Sequence, residues 1–245
     1  MDLDLKGKRA VVTGGSRGIG RAIVLGLAQQ GVSVAAVYHR ESDAVTSLAE
    51  ELTRLNGDSY VVQADVSSEE DVARLADDVR GRFGRIDILV NNAGVVSHKQ
   101  IEDLDLDEWR RIIDTNLTAL YLVTKSLVDA IPEGGSVINV GSAVAMRGMV
   151  GRTHYASSKA GAIGFTRALC KEVGPRGIRV NLIAPGIIET DQASGLTPEG
   201  RARYAGLAAL NRLGNSEEVA GVALFLASEL SLFVSGMTIN VDGGI

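Results

Sequence analysis

Residues 9–20 read R-A-V-V-T-G-G-S-R-G-I-G, and this stretch decides the fold. The β-branched run from Arg9 to Thr13 predicts a short buried strand. Glycines follow at once, and then Ile23, Leu27 and Ala28 recur at helical spacing. Strand, glycine turn and helix in that order is the context a phosphate-binding loop requires. Gly14 permits the tight turn, Gly18 lets backbone approach a pyrophosphate, and Gly20 lets the helix lie close to the strand. Ser16, Arg17 and Ile19 complete the loop, and the free N–H groups of the helix start face the anion. The spacing is G-x-x-x-G-x-G rather than G-x-G-x-x-G, so an ordinary glycine-rich turn stays open on this stretch alone.

The next strand, 33–38, tests that reading. Dinucleotide folds meet the adenosine ribose about 20 residues past the glycines, where a carboxylate accepts from a free 2′-hydroxyl. Here the strand ends Val37-Tyr38-His39-Arg40, with no carboxylate at the tip. Arg17 and Arg40 are cations suited to a 2′-phosphate, through charge-assisted bonds. This favours NADPH/NADP+ over NADH. Glu41 and Asp43 nearby keep the other choice open, as does a reading of both arginines as solvated surface charges.

The pattern then repeats. A helix is expected over 43–56, ended by Gly57, and a strand over 60–63. Asp65 and Val66 follow that strand; either Asp65 accepts from an adenine amino group, or else Asp65 or a following serine caps the helix expected over 69–83. A strand at 86–90 delivers Asn91-Asn92-Ala93-Gly94, small and amide residues suited to close approach of a flat ligand. A long helical pattern covers 108–130 with Asn116 inside it, where propensity disfavours asparagine. Asn116 either bends the helix and holds a water or lies on the surface. A strand at 136–140 leads to Ser142. The helix carrying Tyr155 runs to about Val173, and a strand at 179–183 ends in Ala184-Pro185-Gly186-Ile187-Ile188-Glu189-Thr190. A helix over 217–227 and a strand over 238–241 close the pattern. Strands alternating with helices predict an α/β fold with a parallel sheet. No linker or repeat divides it, so one domain over 1–245 is expected. Residues 191–212 look irregular or loosely helical, and about 187–212 is a candidate substrate lid.

Composition narrows the function. The 245 residues are 45% hydrophobic with a net charge of -5, which argues against nucleic acid or an anionic membrane as partner. No apolar run is long enough to span a membrane. Met1 to Lys6 lacks the apolar core of a signal peptide, so a cytoplasmic protein is expected. The match of Asn116-Leu117-Thr118 to a glycosylation pattern is then accidental. Cys170, the single cysteine, reads as a buried free thiol. The three histidines show no metal-ligand spacing; His98 and His154 read as mouth or surface residues.

Tyr155 and Lys159 carry the chemistry. Four residues apart on a helix, they leave one face with Cβ atoms about 5–6 Å apart. A cation beside a phenol favours the phenolate and moves its pKa toward the range of a general acid–base. Taken alone, the pair is also common by chance.

Joined in order, the motifs T-G-G-S-R-G-I-G (13–20), N-N-A-G (91–94), Asn116, Ser142, Y-x-x-x-K (155–159), P-G-I-I-E-T (185–190) and the V-D-G-G end resemble the short-chain dehydrogenases/reductases. Within that family the chain looks most like the 3-oxoacyl-[acyl-carrier-protein] reductases and related ketoreductases. The resemblance implies a doubly wound, seven-stranded parallel sheet of Rossmann type with helices on both faces. It implies an NADPH-dependent oxidoreductase that reduces a ketone to a secondary alcohol, with a 3-oxoacyl thioester or polyketide-type carbonyl as substrate. Tyr155 would be the acid–base, Lys159 would lower its pKa and bind the nicotinamide ribose, Ser142 would polarise the carbonyl, and Asn116 would hold a water chain. Asn92, Ala93 and Gly94 would line the adenosine side, and Thr190 with the backbone of Pro185, Gly186 and Ile188 would hold the carboxamide. A homotetramer is implied too. The alternatives are an NAD(P)-dependent alcohol, sugar or steroid-type dehydrogenase working oxidatively, and a cofactor-sensing module without chemistry.

Two departures bear on the substrate. Carrier-dependent reductases show basic residues outside the mouth, whereas Leu127 to Glu133 here contains none; Lys171 could supply one. Arg152 stands where that branch has glutamine, and either faces a polar or anionic substrate group or, the preferred reading, extends to solvent.

Overall fold

The computed structural model describes residues 3–55, 58–190, 195 and 197–245. In chain order the elements are β1 (Arg9–Thr13), α1 (Gly18–Gln29), β2 (Ser33–Tyr38), α2 (Asp43–Leu55), β3 (Tyr60–Gln63), α3 (Glu69–Phe83), β4 (Ile88–Asn91), α4 (Leu106–Ile113), α5 (Ala119–Leu127), β5 (Ser136–Val140), α6 (Val144–Arg147), α7 (Thr153–Val173), β6 (Arg179–Pro185), β7 (Ile188–Glu189), α8 (Pro198–Ala205), β8 (Gly214–Asn215), α9 (Ser216–Ala227) and β9 (Thr238–Val241). Seven strands form one sheet in the order β3-β2-β1-β4-β5-β6-β9, every pair parallel. Strand order reverses between β1 and β4, where Ala10 pairs with Ile88 and Val12 with Val90. In open α/β sheets a ligand crevice lies outside the carboxyl ends of the strands at that point.

Successive side chains of a strand face opposite sides, and the core divides accordingly. Val12, Ala36, Ile88, Val90 and Ile138 pack with Ile23, Val24 and Leu27 of α1 and with Val219 and Ala223 of α9. Val11, Val37, Leu89 and Val137 pack on the other side with Val72, Leu75 and Val79 of α3 and Val123 and Leu127 of α5. Both faces of the central strands are covered, which is why they read as continuous apolar runs rather than alternating ones. No described helix is long and apolar enough to cross a membrane.

Several boundaries differ from expectation. The fourth strand lies at 88–91, not 86–90, because the Ile86 amide bonds to Ala130 rather than into the ladder. The pattern over 108–130 is α4 and α5 joined by a π-helical turn, Asp114–Thr118, and ending in a 3-10 turn at Val128–Ala130. The Ala119 amide bonds to the Asp114 carbonyl, five residues back, so the helix widens there. The expected end of the second helix, Asn56 and Gly57, lies outside the described residues, as do 191–194 and 196 of the expected lid. Within the rest of that segment the loosely helical reading holds for α8, and β7 pairs with β8, just beyond the segment, as a separate two-stranded sheet.

Candidate active site

The glycine loop is built by close approach. Gly14 and Gly18 hold φ of +64° and +53°, a region L side chains avoid. A Cβ on Gly20 would lie 2.1 Å from the Gly14 carbonyl oxygen and 2.5 Å from Asn92 Nδ2. The loop is pinned from β4: Asn92 Nδ2 donates to the carbonyls of Thr13 and Gly14, each at 3.0 Å, and the amides of Asn92 and Ala93 donate to Thr13 Oγ1 at 3.0 Å. The amide of Asn92 therefore shapes the loop. A Cβ on Gly18 would fall 3.3 Å from Thr190 Cγ2, which brings the segment after β6 across the loop. Gly186 lies against Asp242, Ala143 donates to the Pro185 carbonyl, and Ile188 is buried. The loop thus leaves room only for hydrogens where its backbone meets β4, the fit that a pyrophosphate cradle needs.

At the tip of β2, the Tyr38 hydroxyl donates to the Glu41 carboxylate, and that bond, with burial, raises the tyrosine pKa. Arg17 and Arg40 are both exposed. His39 Nε2 lies 3.5 Å from Asp65 Oδ2, and Asp65 Oδ1 accepts from the Ser67 amide at 2.9 Å and its hydroxyl at 2.6 Å. Burial alone would raise the Asp65 pKa, but Ser67, His39 and Arg40 bring it below the ordinary value. Of the two readings of Asp65, the cap falls to a serine: Ser68 Oγ accepts from the Asp71 amide at the start of α3. Val66 is buried beside the crevice.

The predicted catalytic residues meet past the ends of β4 and β5. Asn116, in the π turn, is buried, which settles its place in the interior. Its Oδ1 accepts from the Val95 amide at 2.8 Å, and its Nδ2 donates to the Val95 carbonyl at 2.9 Å and to Ser158 Oγ at 3.1 Å. Lys159 is 5% exposed, and its Nζ donates to the Val140 carbonyl at 2.9 Å. A Cβ on Gly94 would come within 3.1 Å of Asn116 Oδ1 and 3.3 Å of Lys159 Nζ, so this glycine keeps the two groups accessible to one another. Ser142 is buried, with its Oγ accepting from the Val144 amide at 3.2 Å.

Electrostatics correct one expectation. Burial pushes the Tyr155 phenol above its ordinary pKa, while Ser142 and the charge of Arg152 pull the other way without prevailing. Lys159 does not supply the lowering: its Nζ is 5.9 Å from the ring centroid, and burial brings its own pKa down to about 8. Lys159 has three donors, and the bond to Val140 engages one.

His154 is 0% exposed, neither at the mouth nor on the surface. Its Nε2 pairs with Ser97 Oγ at 2.7 Å, its Nδ1 is buried without a hydrogen-bond partner, and burial lowers its pKa. Arg152 is half-buried, and its Nη1 donates to the Ser97 carbonyl at 2.8 Å. Arg176 pairs with Asp129 at 3.8 Å, so the acidic stretch before β5 gains a cation that the local sequence lacks. Sequence reading missed Thr13, Ser97 and Ser158. Thr13 was legible as a hydroxyl at a strand end beside the glycines; the other two carried no local signal.

A sequence profile described as Enoyl-(Acyl carrier protein) reductase matches residues 14–245. The chain is 42% identical over 247 aligned positions to the 3-oxoacyl-[acyl-carrier-protein] reductase of Chlamydia pneumoniae, an alignment covering 100% of this chain and 99% of that one. It superposes on a short-chain dehydrogenase/reductase from Serratia marcescens with a TM-score of 0.94 at 34% identity, covering 98% of each chain. A short-chain dehydrogenase from Burkholderia cenocepacia, solved in complex with NADP, gives 0.93 at 34% identity, again over 98% of each.

Proposed function

Because the chain belongs to the short-chain dehydrogenase/reductase family, we propose that it reduces the ketone of a 3-oxoacyl thioester to a secondary alcohol with NADPH. The observation that carries this reading is the convergence of Tyr155, Ser142, Lys159 and Asn116 beyond the carboxyl ends of β4 and β5. Names of full-length relatives support the reductive direction and the acyl substrate.

When bound, the nicotinamide supplies the hydride that reduces the carbonyl carbon. The chain's own residues handle the oxygen. Raised in pKa, Tyr155 stays protonated at neutral pH and donates its proton to the developing alkoxide. Ser142 Oγ gives a second hydrogen bond to that oxygen, where charge develops. Lys159, a buried cation with two N–H groups beyond the one bonded to Val140, would hold the nicotinamide ribose, and Asn116 fixes the backbone of Val95. Gly14, Ser16, Gly18, Ile19 and Gly20 would hold the pyrophosphate, Arg17 and Arg40 the 2′-phosphate, Asp65 and Val66 the adenine, Ala93 and Gly94 the adjoining ribose, and Pro185, Gly186, Ile188 and Thr190 the carboxamide.

The whole chain would act as one domain with the segment 187–212 as its lid, in the cytoplasm, on a carrier-tethered substrate. Exposed Tyr121, Leu232, Phe233 and Met237 support a homotetramer, since bare apolar side chains of this size favour contact with another copy.

The test is NADPH oxidation followed spectroscopically with a 3-oxoacyl thioester, a simple ketone and a 2-enoyl thioester. The ketones should turn over and the enoyl substrate should not. Tyr155→Phe should lower kcat by about 10²–10⁴-fold, the range of general acid catalysis. Turnover by Tyr155→Phe at the parental rate would reject the reading.

A further inference from the structure

Among the cations around Ser97, two are already paired. Lys99 Nζ lies 2.6 Å from Asp105 Oδ2, and Arg111 forms a two-point pair with Glu108 at 2.7 and 2.8 Å. Arg152 has no carboxylate within ion-pair distance among the described residues. It lies immediately before α7 and three residues before Tyr155. Nη1 is tied to the Ser97 carbonyl, and Ser97 Oγ is held in turn by His154. The guanidinium is therefore held at one N–H group, and its remaining N–H groups have no partner among the described residues. The segment from Ala143 to Gly151, α6 and the turn after it, contains no acidic residue, but adds Arg147 and the exposed Met146, Met149 and Val150. In a chain of net charge -5, this lip joins positive charge without an ion-pair partner among the described residues to apolar surface beside the predicted proton donor.

A guanidinium fork matches the two oxygens of a carboxylate. We propose that Arg152 is a specificity-determining residue, which selects ketone substrates bearing a carboxylate, or in its place an acyl carbonyl oxygen, two carbons from the reacting carbonyl. This rests on the ketoreductase reading above. It adds that the free 3-oxo acid binds better than its neutral ester, an order that a glutamine at 152 does not produce.

The experiment compares acetoacetate with ethyl acetoacetate, using NADPH, in wild type, Arg152→Gln and Arg152→Lys. Within each enzyme the ratio of the two kcat/KM values cancels any effect of the substitution on Tyr155 or on loop packing. Arg152→Gln should lower the acid-to-ester ratio by about tenfold or more, through KM, and Arg152→Lys should restore part of it. Equal ratios in wild type and Arg152→Gln overturn the proposal. Binding is read separately by calorimetry in a Tyr155→Phe background with NADP+. There acetoacetate should bind at least about tenfold more weakly once Arg152→Gln is added, a factor that corresponds to about 1.4 kcal/mol. Unchanged binding overturns the proposal even if turnover is absent. Absent turnover with the binding difference intact counts against the ketoreductase reading alone.

Discussion

The ammonium of Lys159 donates a 2.9 Å hydrogen bond to the carbonyl of Val140, the last residue of β5. This bond holds a buried charge whose pKa is depressed from 10.5 to about 8 by burial. Between those values the unfolded chain carries a proton that the folded chain lacks, so stability rises with pH across about 8 to 10.5. Below that window the charged amine is a constant destabilising burden. Lys159→Met should remove the rise, so wild type should gain on the variant between pH 7 and pH 10 in urea midpoints. The kcat/KM for NADPH should fall above about pH 8 as the amine loses its charge. Parallel pH profiles of stability in the two proteins would contradict this.

Cofactor choice should depend on Arg17 and Arg40. Both are exposed, while the carboxylate of Glu41 is bound to the Tyr38 hydroxyl. The pair Arg17→Ser and Arg40→Ser should weaken NADPH by about tenfold or more and change NADH by about twofold at most. Fluorescence titration with each nucleotide decides the matter, and equal losses for both would count against the assignment.

Two glycine substitutions should act in opposite directions. Gly20→Ala forces a Cβ to 2.1 Å from backbone and should cost about 3 kcal/mol or more of stability. In Gly164→Ala the new carbon meets nothing within 4 Å in the interior of α7, and helix propensity should then stabilise by about 1 kcal/mol. Denaturant unfolding of both variants gives the signs directly.

How far the sequence was legible follows from the range of the interactions. The sheet was readable because buried parallel strands are apolar runs and each is followed by its own helix. The loop at 14–20 and the pair Tyr155 and Lys159 were readable because their spacing is local. What escaped was set by distant partners. His154 looked like a surface residue until Ser97, 57 positions away, was found against its ring. Arg152 reads as extending to solvent or facing a substrate group, and the carbonyl of the same serine, distant in sequence, is what holds one of its N–H groups. Asn116 stood out as an oddity in a helix, but the π turn around it carries no composition of its own.

His154 also gives the fold an acid sensitivity. Its depressed pKa means that the unfolded chain binds a proton below about pH 6.5 that the folded chain resists, so stability should fall as pH drops through that value. The charges that act on it are Glu108, Arg152, Arg111 and Lys99; Glu108 is held at about 2 by Arg111 and Ser97, so it does not titrate in the same range. His154→Phe should flatten the thermal midpoint between pH 7 and pH 5 relative to wild type. An unchanged slope would show that other groups govern acid unfolding.

The widened turn between Ile113 and Ala119 has a bearing on which changes of length this chain tolerates. Each residue advances an α-helix by about 100°. The turn therefore sets two phases at once: Asn116 swings inward to Val95 and Ser158, and Leu120, Val123 and Leu127 still point to the interior. A single deletion there would draw the segment into regular helix and leave one of the two phases wrong. Natural relatives should accordingly accept exchanges of side chain along this helix far more readily than any gain or loss of one position.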